Sequence, residues 1–390
     1  MIIGQNGERI VVILLYVYIV LIVLNLIKRR SKILFLGLLA FLWILVGWSE
    51  GTADWHIYVM RFEEYESVSA RTEMVFTFLM RLGHWLNFDY RMMYVFLTAV
   101  CFLLIGKTII DYSKDPGFVL ALYAIFSFPI DATQIRFFIA FSIVFFAFRY
   151  ILNYLKNKQK RYIIMWLIAF LIAVNIHMSV IVFLVILIPV FFGRMVTIIF
   201  TLAANALMIF FSSLKTRIFE MIVSFLGNEK AEIVQNQSSQ YGMRTIMFVW
   251  MKILTIFLGF VMFYVYIKYF SKRLRSSGVN REPTGSILTI NYEKCLDLNI
   301  AVLSIIGLIM VTADFYRIQQ IIIMLNYMVY ASYLSTTKTM KLNINNLIII
   351  VLSVAFAFIA LYNLVLSSTN YYSVFVPLFE NNQLFNNIMI

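Results

Sequence analysis

The feature that most constrains this chain is a set of long apolar runs with basic ends, and 129–161 is the clearest of them. It reads PIDATQIRFFIAFSIVFFAFRYILNYLKNKQKR. Phe137–Phe148 is almost wholly apolar, and Arg136 to Leu152 gives roughly 25 Å of helix, close to the hydrocarbon thickness of a bilayer. Lys156, Lys158, Lys160 and Arg161 mark the far end as cytoplasmic, because short basic loops stay inside. Arg136 therefore belongs at the outer mouth. Asp131, three residues before Gln134, reads as the N-cap with its box partner. An arginine in a first turn opposes the helix dipole. Two readings resolve that conflict. Either the guanidinium and the helix N–H groups share a bound anion, or the side chain snorkels to the headgroups.

With 62% hydrophobic and 13% charged residues, the chain is an all-α polytopic membrane protein rather than a soluble globule. The net charge of +13 falls in short loops between apolar runs, so topology accounts for it and nucleic acid is not implied. Cys101 and Cys295 lie in or beside spans and offer neither a disulfide framework nor a thiolate metal site. Ile10–Ile27 is followed, not preceded, by Lys28, Arg29, Arg30 and Lys32. It reads as a retained helix with an outer N-terminus rather than a cleaved signal. A single integral domain, 1–390, is expected.

Spans are expected near 10–27, 33–48, 92–110, 117–130, 136–155, 162–176, 178–192, 195–212, 246–268, 296–312, 318–335 and 346–366. Basic runs after 27, 155, 268 and 335 should be cytoplasmic. For the sides to agree, one of the four apolar segments between 49 and 156 must not cross. The segment 74–86 is short and carries Arg81 and His84, so it reads as an interfacial or re-entrant helix. About twelve crossings follow, with both termini outside. If 117–130, which ends at Pro129, is the one that does not cross, Arg136 keeps its side. The outer regions are the loop 49–72, the turn 130–135, the large loop 213–245 and the end from 363. The cytoplasmic loop 271–294 carries Gly278, Pro283 and Gly285 and reads as a connector.

Ionisable residues of both signs gather at the outer ends: Asp54, His56, Glu73, Arg136, His177, Arg244, Asp314 and Arg317. The cytoplasmic ends carry little but lysine and arginine. A mixed-sign group at a membrane face is a functional-site candidate. Each member also has a plainer reading. Asp54 caps a helix over 55–65, and Glu73 suits the dipole at the start of 74–86. His177 sits in a turn, and Asp314 and Arg317 pair at i, i+3. Tyr58, Tyr241 and Tyr316 belong to the interfacial belt. Asp54-x-His56 is too weak a pattern to assign a metal. There is no P-loop, no Gly-x-Ser-x-Gly and no His-Glu-x-x-His. Acidic residues at mid-span, as in ion-coupled carriers, are nearly absent.

Read together, Gly51-x-x-Asp54-x-x-x-Tyr58, Glu73 opening the next helix, Ile135-Arg136-x-x-Ile139-Ala140-x-Ser142-Ile143, and His177-x-Ser179 resemble the EpsG-like branch of Wzy-type polysaccharide polymerases. The resemblance covers about residues 45–190 and continues more loosely to Arg317. The family often has glutamine after the arginine, where this chain has Phe137. The resemblance implies a bacterial plasma-membrane glycosyltransferase with a GT-C-like fold and an active site facing outward. It would join undecaprenyl-diphosphate-linked oligosaccharide repeats without a cofactor, metal or nucleotide sugar. Flippase and chain-length regulator proteins are the implied protein partners.

That chemistry assigns roles. Arg136 and Arg317, with Arg244 third, would hold the leaving diphosphate. Asp54, then Glu73 and His177, would take the acceptor proton. Tyr58, Tyr316 and Asp314 would bind glycan, apolar grooves would hold the polyprenyl tails, and the loop 213–245 would close over the site. The rivals are a lipid-linked oligosaccharide flippase, an O-antigen ligase-like or other GT-C transferase, and a membrane acyltransferase. The last would need an intramembrane histidine reached from inside, whereas His177 is expected outside.

Overall fold

The helix Pro116–Ile125 is buried at every one of its 10 positions. Its sequence, apolar all round, is what a helix enclosed by other helices needs. The structure, a computed structural model, describes residues 5–50, 54–64, 73–211, 217, 243–270, 292–310, 319–334, 344–366 and 371–388. In chain order, the first helices are α1 (Gln5–Ile27), α2 (Lys32–Gly47), α3 (Trp55–Glu63), α4 (Met74–Trp85) and α5 (Tyr90–Tyr112). Next come α6 (Pro116–Ile125), α7 (Phe128–Asp131), α8 (Ile135–Asn157), α9 (Lys160–Val174), a 3-10 helix (Met178–Ile186) and α10 (Leu187–Phe210). The chain continues through α11 (Met243–Val265), α12 (Tyr292–Val302), α13 (Gln319–Leu334) and α14 (Ile344–Leu361). α6 packs against α1, α2, α5, α13 and α14 and is the hub of the bundle. Among the described residues the one β pairing is the isolated bridge Ser49–Asn382.

The protein is a helical membrane protein. A helix lies at each of the twelve expected spans, and 5 of the described helical stretches are long and apolar enough to cross a bilayer unaided. One of them, Met178–Phe210, is broken at Gly193, whose φ of 78° lies outside helical space. Lys32–Gly47, Pro116–Ile125 and Asn346–Leu361 are shorter. The expected span 117–130 is a broken one. α6 ends before Ser127, where φ is 92°, and α7 restarts the helix. The break is buried in protein, the setting in which irregular backbone is tolerated at membrane depth. α4 has 12 residues, too few to span. It buries Phe76, Thr77, Met80 and Gly83 and exposes Met74, Phe78 and Trp85 on the opposite face.

Ion pairs between elements, among the described residues, divide between the two ends of the bundle. At the end assigned to the cytoplasm, Arg30 donates to the fully buried Asp115 at 2.7 Å, and Arg149 and Lys107 meet Asp111. Arg194 holds Asp297 at 2.5 Å and Glu293 at 2.6 Å. This corrects the expectation that those ends carry little but lysine and arginine. Four acids stand there, each beside a base. A carboxylate at a crowded helix junction is tolerated once it is paired. Arg136 lies at the other end.

A ring ladder carries α8 through the core. Phe137 stacks on Phe141, and Phe141 on Phe145, with centroids 6.2 and 5.8 Å apart. This is the i, i+4 neighbour relation of a helix face, and it holds the axis that presents Arg136.

Candidate functional site

α3 is placed by its aromatic stripe. Trp55, Tyr58 and Phe62 are its buried residues, spaced i, i+3, i+7 as one helix face requires. Trp55 packs edge-on against Tyr90 and Tyr94 of α5, at 4.9 and 5.3 Å. Tyr58 meets Phe76 of α4 at 6.0 Å. Arg91, in the first turn of α5, locks this corner. It donates to the carbonyls of Gly47 and Ser49 at 3.0 and 2.9 Å, pairs with Glu50, and lies 4.2 Å over the Trp55 ring.

Against this wall stands Arg136. Its Nε donates to the Tyr58 hydroxyl at 2.7 Å, and its Nη1 donates to Oε2 of Glu73. The guanidinium lies 5.2 Å from the Tyr58 ring centroid and 5.8 Å from that of Phe76. The Arg136 side chain is 15% exposed and that of Glu73 10%. Arg136 therefore does not snorkel. It is turned inward onto three side chains from α3 and α4.

Glu73 reaches it from an unusual backbone. Its φ, ψ of 63°, 47° are left-handed, which costs a non-glycine residue on the order of 1–3 kcal/mol. Glu73 takes the N-cap position of α4, and its carboxylate makes no capping bond to that helix. The next turn is tied down from outside, where the Val75 amide donates to the Asn175 carbonyl at 3.2 Å. That bond brings the end of α9 to Glu73, and Nδ1 of His177 stands 3.6 Å from its Oε1. The Phe137 ring meets the His177 imidazole edge-on at 5.9 Å. Phe137 thus gives the histidine an aromatic wall.

Burial raises the Tyr58 phenol above its usual range; Arg136 draws it back and the Asp54 charge pushes it up again. Tyr58 is therefore neutral. Because its oxygen accepts from Arg136, its own proton remains to be donated.

Tyr58, Glu73, Arg136 and His177 form one constellation drawn from four parts of the sequence. Asp54 takes the N-cap position of α3 without a side-chain capping bond and acts on the group through its charge on Tyr58. His56 is exposed and points away from the buried stripe. Arg244 lies in the first turn of α11, but its side chain is outside the described residues, as are Asp314, Tyr316, Arg317 and Tyr241 entirely. Asp131 is not the N-cap of α8. It ends α7, is 1% exposed and accepts from the Tyr123 hydroxyl at 2.9 Å, because the turn at Ser127 directs it into the core. Gln134 precedes α8, with no side-chain cap.

Two contributors escaped the sequence reading. Arg91 carries the same signal as Arg136, an arginine in the first turn of an outward-starting helix, and was readable by that rule. Asn175 acts through its backbone carbonyl and leaves no side-chain signal.

A family model described as the EpsG family matches residues 32–377. The chain belongs to the EpsG family. The match takes in α2 to the C-terminal segment and therefore all four residues of the constellation. EpsG proteins are polysaccharide-polymerase-like membrane proteins, generally of glycosyltransferase type. Neither the curated proteins nor the solved structures give a match to this EpsG chain.

Proposed function

We propose that this EpsG protein is a GT-C-like polysaccharide polymerase. It joins undecaprenyl-diphosphate-linked oligosaccharide repeats at the outer face of the bacterial plasma membrane. The observation that carries the reading is the arginine turned inward between a tyrosine and a glutamate, with a histidine at the same carboxylate. A glycosyl transfer from a lipid diphosphate needs a cation for the departing charge and an acceptor for one proton, and this corner supplies both.

The acceptor hydroxyl oxygen bonds to the anomeric carbon of the donor as the bond from that carbon to the diphosphate oxygen breaks. The electron pair leaves with the diphosphate and is stabilised by the Arg136 guanidinium, whose planar fork matches phosphate oxygens. The hydroxyl proton goes to a base among His177, Glu73 and Asp54. Tyr58 orients Arg136 and offers its O–H to the glycan or the phosphate. Arg317, Arg244, Asp314 and Tyr316 belong to the same reading as further diphosphate and glycan contacts.

The test is polymerisation of lipid-linked repeats by purified protein in nanodiscs, with EDTA and without nucleotide sugar. Longer glycan on undecaprenyl diphosphate is expected. Movement of single units between leaflets without elongation would make the protein a flippase. Loss in EDTA, restored by zinc or magnesium, would return Asp54 and His56 as ligands.

A further inference from the structure

We infer that Glu73 changes partner during the reaction: at rest it neutralises Arg136, and when a lipid diphosphate takes Arg136 the released carboxylate closes on His177 and fixes that imidazole as the base. The inference rests on the polymerase reading and sharpens it. His177 becomes the catalytic base and Glu73 its positioning residue.

The geometry supports an exchange. Glu73 presents one oxygen to each neighbour, Oε2 to Arg136 and Oε1 towards Nδ1 of His177. The second distance, 3.6 Å, suits a charge contact and is too long for a hydrogen bond. The dyad is therefore incomplete while Arg136 holds the carboxylate. The backbone that carries Glu73 is left-handed and anchored through Val75 and Asn175, so a side-chain movement alone makes the exchange. The aromatic wall at Phe137 keeps the imidazole in place as the carboxylate arrives.

The electrostatics point the same way. An arginine beside a helix start wants an anion, and here a protein carboxylate occupies the place of a phosphate oxygen. Leaving either buried charge alone is costly. The exchange avoids that at every stage. Arg136 passes from carboxylate to diphosphate. Glu73 passes from guanidinium to imidazole, which becomes imidazolium as it takes the acceptor proton. With Nδ1–H held by Glu73, Nε2 is the atom that accepts, and the proton returns to water after transfer. The base is thus completed only when a donor diphosphate is bound.

A carboxylate that competes with substrate gives an uncommon signature, namely tighter binding with slower turnover. In nanodiscs, Glu73→Gln should bind undecaprenyl diphosphate several-fold more tightly than wild type, while its kcat on lipid-linked repeats falls by about 10–100-fold. Arg136→Ala should lose the binding. Glu73→Asp, which keeps the charge on a shorter arm, should lie between wild type and Glu73→Gln in both measurements, and it covers the case in which Glu73→Gln folds poorly. Binding no tighter than wild type in both Glu73 variants, or an undiminished kcat in Glu73→Gln, overturns the exchange. If wild type binds the diphosphate and Glu73→Gln tightens it, yet no glycan is elongated, the polymerase reading fails and the exchange at Arg136 stands.

Discussion

Tyr58 Oη accepts the Nε–H of Arg136 at 2.7 Å, bridging 78 residues of sequence. The same tyrosine turns its ring to the guanidinium at 5.2 Å. Tyr58→Phe separates the two contacts by keeping the ring and removing the acceptor. A hydrogen bond to a charged group is worth about 1.5–3 kcal/mol, so polymerisation should fall by about 10-fold or more at matched protein level. Unchanged polymer length and yield would show that the ring alone positions the arginine.

Arg136→Ala should retain expression and membrane insertion and lose polymerisation by about 100-fold or more, the scale of removing one donor to a developing charge. Arg136→Lys should recover only part, because an ammonium cannot reproduce the fork that spans Tyr58 and Glu73. Quantifying polymer in cells with both variants at equal abundance checks this. Full activity in the lysine variant would reduce the site to a point charge.

Arg91 should behave differently from Arg136. It holds two carbonyls, a carboxylate and a tryptophan face and touches none of the four site residues except through α3. Arg91→Ala should lower stability by about 2–4 kcal/mol, since several partners are orphaned together. Thermal unfolding in detergent reads this directly. Donor affinity should be kept in the folded fraction.

The sidedness is open to thiol labelling. Both native cysteines are fully buried, so single added cysteines report against a silent background. Cysteines at Met60 and Asn87 should react with an impermeant reagent from outside, and one at Lys158 only after permeabilisation. Asn87 decides whether α4 crosses, and labelling there only after permeabilisation would make α4 a span and the broken segment 117–130 the one that does not cross.

The sequence made the helices legible because each apolar run has to be a helix in lipid. It also pointed to Glu73, Arg136 and His177 as separate outer-face residues. It could not show that one carboxylate serves both others. That depends on a left-handed backbone at Glu73 and on a backbone bond from Val75 to Asn175, and neither has a side-chain pattern. Asp131 was misread because Asp-x-x-Gln fits a capping box, while the strained turn at Ser127 that sends it inward is set by packing around α6. The acids opposite Arg30, Arg149 and Arg194 were overlooked for a similar reason. In a list of loop charges they are outnumbered, and only the fold sets each one beside its base.

The outer end of α2 is fastened by residues far downstream in the sequence. The Asn382 amide caps the Ile44 carbonyl across 338 positions. Glu50 and Trp48 exchange backbone bonds with Asn381 and Gln383, next to the Arg91 corner that seats Trp55. The seat of Trp55 and Tyr58 thus leans on residues 381–383 as well as on Arg91. A substitution at Asn382 should therefore loosen the corner that seats Tyr58 without touching any of the four site residues.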